Sequence, residues 1–256
     1  MRLPKSLIAA CLAALLAACS SAPIVPVAGM SVEGMNAIST AQAAGFVRIR
    51  SDLYLPGAAA AAGPRQRMHC EGGGSQVQVT LDAADLAQGA PLCALALQAV
   101  LQARARHPGL RYDVDLHLYP VGTGVRMQRV HTGFQQVTVS LVAPLFDDPA
   151  RTAANLVDLI AHEGFHALGQ VLHDALARNE RNAYYAGLCT QLAVLGRVSR
   201  ASLPGAPLVT DDPNLVASSN AAYTVRREVW PWFKDGDLVA GSAAALGFQA
   251  QCDAVL

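Results

Sequence analysis

Residues 162–166 read His162-Glu163-Gly164-Phe165-His166, the one stretch of this chain whose order of residue types implies chemistry. On a helix, residues four apart share a face, so both imidazoles reach towards one point and can ligate a single metal ion. Glu163 directly follows the first histidine, which sets its carboxylate beside that ion without making it a ligand. A carboxylate in that position can take a proton from a metal-activated water that attacks a carbonyl. Zn²⁺ is the ion this ligand chemistry suits.

The motif needs a helix with a buried stripe, and its surroundings supply one. Between residues 152 and 172, Leu156, Leu159, Ile160, Phe165, Leu168 and Leu172 recur at helical spacing with no proline among them. Asp147-Asp148-Pro149 is a start signal, with acidic groups at the positive end of the helix dipole. Gly164 and Gly169 each weaken a helix by about 1 kcal/mol relative to Ala. A glycine inside the motif also leaves room for a neighbour to approach closely.

A catalytic zinc takes three protein ligands and keeps one position for water, and three downstream residues compete for the third place. From His162 to Gly169 the chain resembles the extended metzincin motif. That motif has its last histidine where this chain has Leu172, one residue before His173, and no Met follows Met127 to form the turn beneath the metal. Asp174 lacks the Gly-Thr-x-x-Asp context of aspzincins and reads as a turn or cap residue. Glu180, in the run Asn179-Glu180-Arg181-Asn182-Ala183-Tyr184-Tyr185-Ala186, resembles the gluzincin arrangement, where a second helix supplies the Glu. Residues 178–196 carry Tyr184, Leu188, Leu192 and Leu195 on one helical stripe, and Ala183 allows close helix packing. Glu180 is therefore the favoured third ligand. The gluzincin-like resemblance implies a zinc metallopeptidase: His162, His166 and Glu180 hold Zn²⁺, Glu163 is the base, and the substrate is a peptide or protein. Glu228 is a more distant alternative ligand, and Tyr184, Tyr185 and Tyr223 are candidate oxyanion donors.

The positioning elements follow from period. Val77, Val79 and Leu81 alternate in a strand over 76–81. Residues 91–107 read as a helix with Leu92, Leu95, Ala96, Ala99 and Val100 on one side, closed by Pro108-Gly109. Residues 112–118 form a strand with Asp113, Asp115 and His117 on a polar face. Residues 125–131 and 134–142 flank Thr132-Gly133 as an antiparallel hairpin. The expected fold class is α+β: a zincin-like lobe whose small mixed sheet packs on the active-site helix, then a mainly helical C-terminal part. In element order the zincin resemblance covers about residues 75–196. In zincins an edge strand holds an extended peptide; here the candidate is 125–131, with Gly122 and Gly124 as its rim. His117 and His131 either approach substrate or lie on the surface. Residues 202–220 read as a long loop over the cleft or a lobe boundary, and 223–232 return to helical spacing.

The start of the chain concerns location. A basic opening and the apolar stretch 7–18 end in Leu16-Ala17-Ala18-Cys19, which resembles the bacterial lipobox. The resemblance implies removal of residues 1–18 and lipid on Cys19. Ser20 then implies delivery to the outer membrane, facing the periplasm. Residues 19–64, Pro-containing and with the low-complexity stretch 58–63, read as a tether and N-terminal extension, and 65–256 as the metallopeptidase domain. Cys11 leaves with the signal, so Cys70, Cys93, Cys189 and Cys252 remain for two disulfides in an oxidising compartment. Of three possible pairings, Cys70–Cys93 and Cys189–Cys252 each join segments expected to fold together. With 19 Lys and Arg against 19 Asp and Glu, no basic excess points to nucleic acid. The rival reading is an envelope binding or assembly lipoprotein that keeps a zincin-like fold without turnover.

Overall fold

The computed structural model describes residues 65–121, 128–133, 135–203 and 213–256, with the two-residue strands Pro26–Val27 and Phe46–Val47. Cys19, the remaining parts of the signal and tether, and Gly122 and Gly124 lie outside the described residues. The described strands of the main sheet are β1 (Pro26–Val27), β2 (Phe46–Val47), β3 (Arg65–Gly72), β4 (Ser75–Asp82), β5 (Arg111–Pro120), β6 (Gln128–Gly133) and β7 (Gln136–Leu145). Their spatial order is β1-β3-β4-β5-β7-β6-β2. Pairing is parallel from β4 through β5 to β7 and antiparallel elsewhere, so the sheet is mixed. A ribbon of β8 (Arg197–Val198) and β9 (Leu238–Val239) stands apart from it. The helices are α1 (Leu86–Ala103), α2 (Pro149–Val171), α3 (Glu180–Leu195), α4 (Pro213–Val229) and α5 (Ala243–Val255).

The strand expected at 76–81 forms, as half of a hairpin whose other strand, β3, lacks an alternating pattern. The turn between them is Gly73-Gly74, both at positive φ, which suits the twist of a two-residue hairpin. Other local expectations are corrected. The first helix begins at Leu86 rather than 91 and ends at Ala103, with Pro91 inside it. Buried Leu92, Cys93, Ala96, Ala99 and Val100 extend back to Gly89, which lies against Met68 and Leu81, and this packing carries the helix through the proline. Of the 125–131 strand, 125–127 lie outside the described residues; β6 covers Gln128–Gly133, and Gly133 pairs with Gln136, so Thr132 and Gly133 belong to the strand rather than the turn. Gln135 takes φ +55°, and its carbonyl accepts the Arg111 N–H at 2.8 Å.

β5 is the central strand, and its polar face is covered. Asp113 is buried but accepts from the Gln76 N–H and from the Arg111 and Gln136 side chains. His117 is only 4% exposed and lies 3.2 Å from Asp115, so it is no surface residue. On the other face, Val77, Val79, Tyr112, Val114, Leu116, Val139 and Leu141 form one core with Val100, Leu156 and Ile160 of α1 and α2. A second core joins α3, α4 and α5 through Tyr185, Leu188, Val225, Val229 and Phe248. The fold is α+β. The expected loop over 202–220 gives way to helix at Pro213, while 204–212 lie outside the described residues.

Both cysteine pairs are disulfides: Cys70–Cys93 ties β3 to α1, and Cys189–Cys252 ties α3 to α5. The second spans a separation of 63 residues, and a loop that long constrains the unfolded chain by about 4 kcal/mol. The double variant Cys189→Ser/Cys252→Ser should lose about that much stability in urea titration. An unchanged midpoint would mean the bond does not restrain the unfolded chain.

Candidate metal centre

The metal motif lies in the second half of α2. The helix is started by Asp148, whose side chain accepts the Ala150 N–H, with Pro149 in its first turn. His162, Glu163 and His166 are 3%, 0% and 3% exposed. Gly169 does not end the helix, which runs on to Val171. The chain then reverses. His173 takes φ +55° and is exposed, and Asp174 caps a short 3-10 turn, Ala175–Arg178, by accepting the Leu176 N–H. Neither residue joins the metal cluster, and Asp174 is the cap residue its setting implied. Asn179 caps α3, so Glu180 occupies the first turn of that helix and returns to α2.

There Glu180 faces both histidines. Its Oε2 lies 3.5 Å from His162 Nε2 and its Oε1 3.4 Å from His166 Nε2. Ligands about 2.1 Å from a tetrahedral zinc stand about 3.4 Å from one another, so these spacings fit the ion. Glu163 Oε1 is 4.0 Å from His162 Nε2, adjacent to the set but outside it. His162, His166 and Glu180 are the one such group of metal-ligating side chains among the described residues.

Hydrogen bonding fixes the polarity of the cluster. His166 Nδ1 lies 2.6 Å from the Ala177 carbonyl oxygen. A carbonyl only accepts, so Nδ1 carries the hydrogen, and in the neutral ring Nε2 presents a bare lone pair. That lone pair faces a carboxylate, and two acceptors face each other stably only around a positive charge. The buried Nε2 atoms of both histidines make no hydrogen bond. Burial opposes protonation of His166, but Glu180, the Ala177 carbonyl and Glu163 outweigh it and raise its pKa. Burial likewise pushes Glu180 up, yet the two histidines prevail and hold it well below the ordinary carboxylate range. The spacing of the three ligand atoms and the unpartnered Nε2 atoms fit a divalent cation.

Close approaches explain three glycines. A Cβ at Gly164 would lie 2.8 Å from the Tyr112 ring, whose hydroxyl donates to the Ile160 carbonyl at 2.7 Å. Tyr112 is thus the neighbour for which the glycine in the motif makes room. Burial, then Glu163, raise its pKa well above the ordinary value. A Cβ at Gly169 would lie 2.8 Å from Ala177 Cβ, so that glycine admits the turn whose carbonyl holds His166. Gly187 of α3 similarly admits Asp158 of α2, which accepts from Gln191 at 3.1 Å. Burial raises the Asp158 pKa, against the opposing pull of His162 and Gln191.

The remaining candidates separate. Glu228 pairs with Arg181 at 2.8 Å and accepts the Tyr185 hydroxyl at 2.9 Å, so it is engaged elsewhere and is no ligand. Tyr223 is half-buried on α4. Tyr184 reaches the site: its ring stands edge-on to His162 at 4.5 Å between centroids. Ser218, absent from the sequence-based candidates, bonds Glu180 Oε2 at 3.2 Å. It fell within the Ser- and Asn-rich stretch read as loop, where no residue type marks it. Gly164 did signal a close neighbour, without naming Tyr112.

Two outcomes follow from this packing. Gly164→Ala gains about 1 kcal/mol of helix propensity but overpacks against Tyr112, which costs about 1–3 kcal/mol. Denaturant titration should show net destabilisation, and a variant more stable than wild type would contradict the contact. Burial and Glu228 push Tyr185 up to about 12, whereas an unfolded tyrosine titrates near about 10. The folded state then holds the proton more tightly, so this contribution is intact below about pH 10 and lost as pH rises towards 12. Tyr185→Phe should show a shallower alkaline fall in melting temperature across that window; an identical fall would exclude it. No family model matches the chain and no curated protein matches it in sequence, so the functional reading rests on this geometry.

Proposed function

We propose that this protein is a gluzincin-like zinc metallopeptidase, hydrolysing peptide bonds in the bacterial cell envelope. The observation that supports it most is the convergence of His162 Nε2, His166 Nε2 and Glu180 on one point with Glu163 beside them. His162, His166 and Glu180 hold Zn²⁺. When bound, zinc supplies a Lewis acid that makes water nucleophilic near neutral pH and polarises a carbonyl. Glu163 takes the proton from the attacking water on its carboxylate and returns it to the departing amine nitrogen. Enclosure of Glu163 keeps bulk solvent from competing for that proton. The cluster opens on the side of Glu180, whose side chain is 29% exposed.

A peptide substrate is what the gluzincin-like resemblance implies. β6 pairs with β7 on one side, and on the other it accepts two residues antiparallel, Phe46 opposite His131 and Val47 opposite Val130. β2 thus already occupies that side at residues 130 and 131, so the strand expected to hold a peptide is not the sheet's edge there. The zincin-like lobe is read from the mixed sheet lying over α2, with Tyr112 of β5 against the metal motif. Anchoring by lipid on Cys19, at the outer membrane facing the periplasm, rests on the lipobox-like residues 16–19.

Plasma mass spectrometry of the purified protein should find stoichiometric zinc, lost in His162→Ala. Glu163→Gln should retain zinc while hydrolysis of a labelled unfolded protein falls by about 10²-fold or more. Undiminished hydrolysis by Glu163→Gln removes the mechanism. Zinc retained by a wild type that cleaves nothing instead supports the non-catalytic envelope protein.

A further inference from the structure

Glu180 stands on the first turn of its helix with a long, rotatable side chain, and the helix alone does not fix where the carboxylate points. The contact that does so comes from α4. Ser218 Oγ lies 3.2 Å from Glu180 Oε2, and the Tyr184 hydroxyl lies 3.0 Å from the same Ser218 Oγ. Ser218 is buried, 38 residues further along the chain from Glu180.

The donor order follows from valence. A carboxylate oxygen accepts, and the Ser218 hydroxyl donates to Glu180 Oε2. That uses the single serine hydrogen, so Tyr184 must donate to Ser218. The same Tyr184 places its ring edge-on to His162. One tyrosine thus touches the first histidine directly and reaches the carboxylate through one serine.

We infer that Tyr184 and Ser218 are positioning residues that fix Glu180 and His162 for metal binding, so that α4, through Ser218, tunes the affinity of a site whose ligands all lie on α2 and α3. The inference rests on the zinc reading above. It makes the serine hydroxyl, rather than the mere presence of α4, the determinant: outer partners of metal ligands change affinity about 10- to 100-fold when removed.

The test compares Ser218→Ala, Ser218→Val and Ser218→Thr in the full chain, with Zn²⁺ affinity read by competition against a chromophoric chelator. Thr keeps the hydroxyl, and Val has nearly the shape of Thr without it. Ala and Val should weaken Zn²⁺ binding about 10- to 100-fold while Thr stays near wild type, and the metal-free melting temperature should not separate Val from Thr. Tyr184→Phe should weaken binding less than Ser218→Ala, because the serine can still donate to Glu180. Equal affinity in wild type, Val and Thr overturns the inference and leaves the zinc reading intact. Equal weakening by Val and Thr also overturns it, since bulk at 218 would then be the cause. A wild type that binds no Zn²⁺ overturns the zinc reading and this inference with it.

Discussion

The site depends on three converging electron-pair donors that need a positive charge between them, whether a shared proton or a metal ion. Two buried imidazole nitrogens and a carboxylate converge, and with its Nδ1 hydrogen on the Ala177 carbonyl the neutral His166 ring turns its lone pair towards Glu180. In water each acceptor would find its own donor. At 3% exposure neither histidine has that recourse, so the pocket is costly unless a positive charge fills its centre. Around this constraint the neighbouring packing makes sense.

The packing serves to bring backbone close. Gly164 lets Tyr112 of the central strand bear on the motif, Gly169 lets the 175–178 turn reach His166, and Gly187 lets α3 lie against Asp158. Each forgoes helix propensity for proximity. The sheet thus buttresses α2 from one side while α3 closes it from another, and each core cluster carries one disulfide.

Local chemistry was legible in the sequence, and long-range contacts were not. His162, Glu163 and His166 share one helix by their spacing, and Glu180 is the third ligand that the gluzincin-like resemblance implies. The cysteine pairs followed from which segments were expected to fold together. Strand β3 escaped because Arg65-Gln66-Arg67-Met68-His69-Cys70 has no alternation; Arg65 is buried there by bonding to the carbonyls of Thr80 and Leu118. For His117, surface or substrate contact was the expectation because a single strand does not reveal that it lies at the centre of the sheet with parallel neighbours on both sides. Ser218 was hidden for a different reason: its value comes from a partner 38 residues away, and serine in a polar stretch carries no period.

The turn joining α2 to α3 has a thermodynamic consequence. Between the last residue of α2 and the first of α3, only residues 172–174 and 179 lie outside helical turns. The link between the second histidine and the carboxylate is therefore nearly rigid, and little chain entropy remains to be surrendered when a guest ion draws the three side chains together. Most of the ordering cost has been met by folding, which leaves the intrinsic strength of coordination available as affinity.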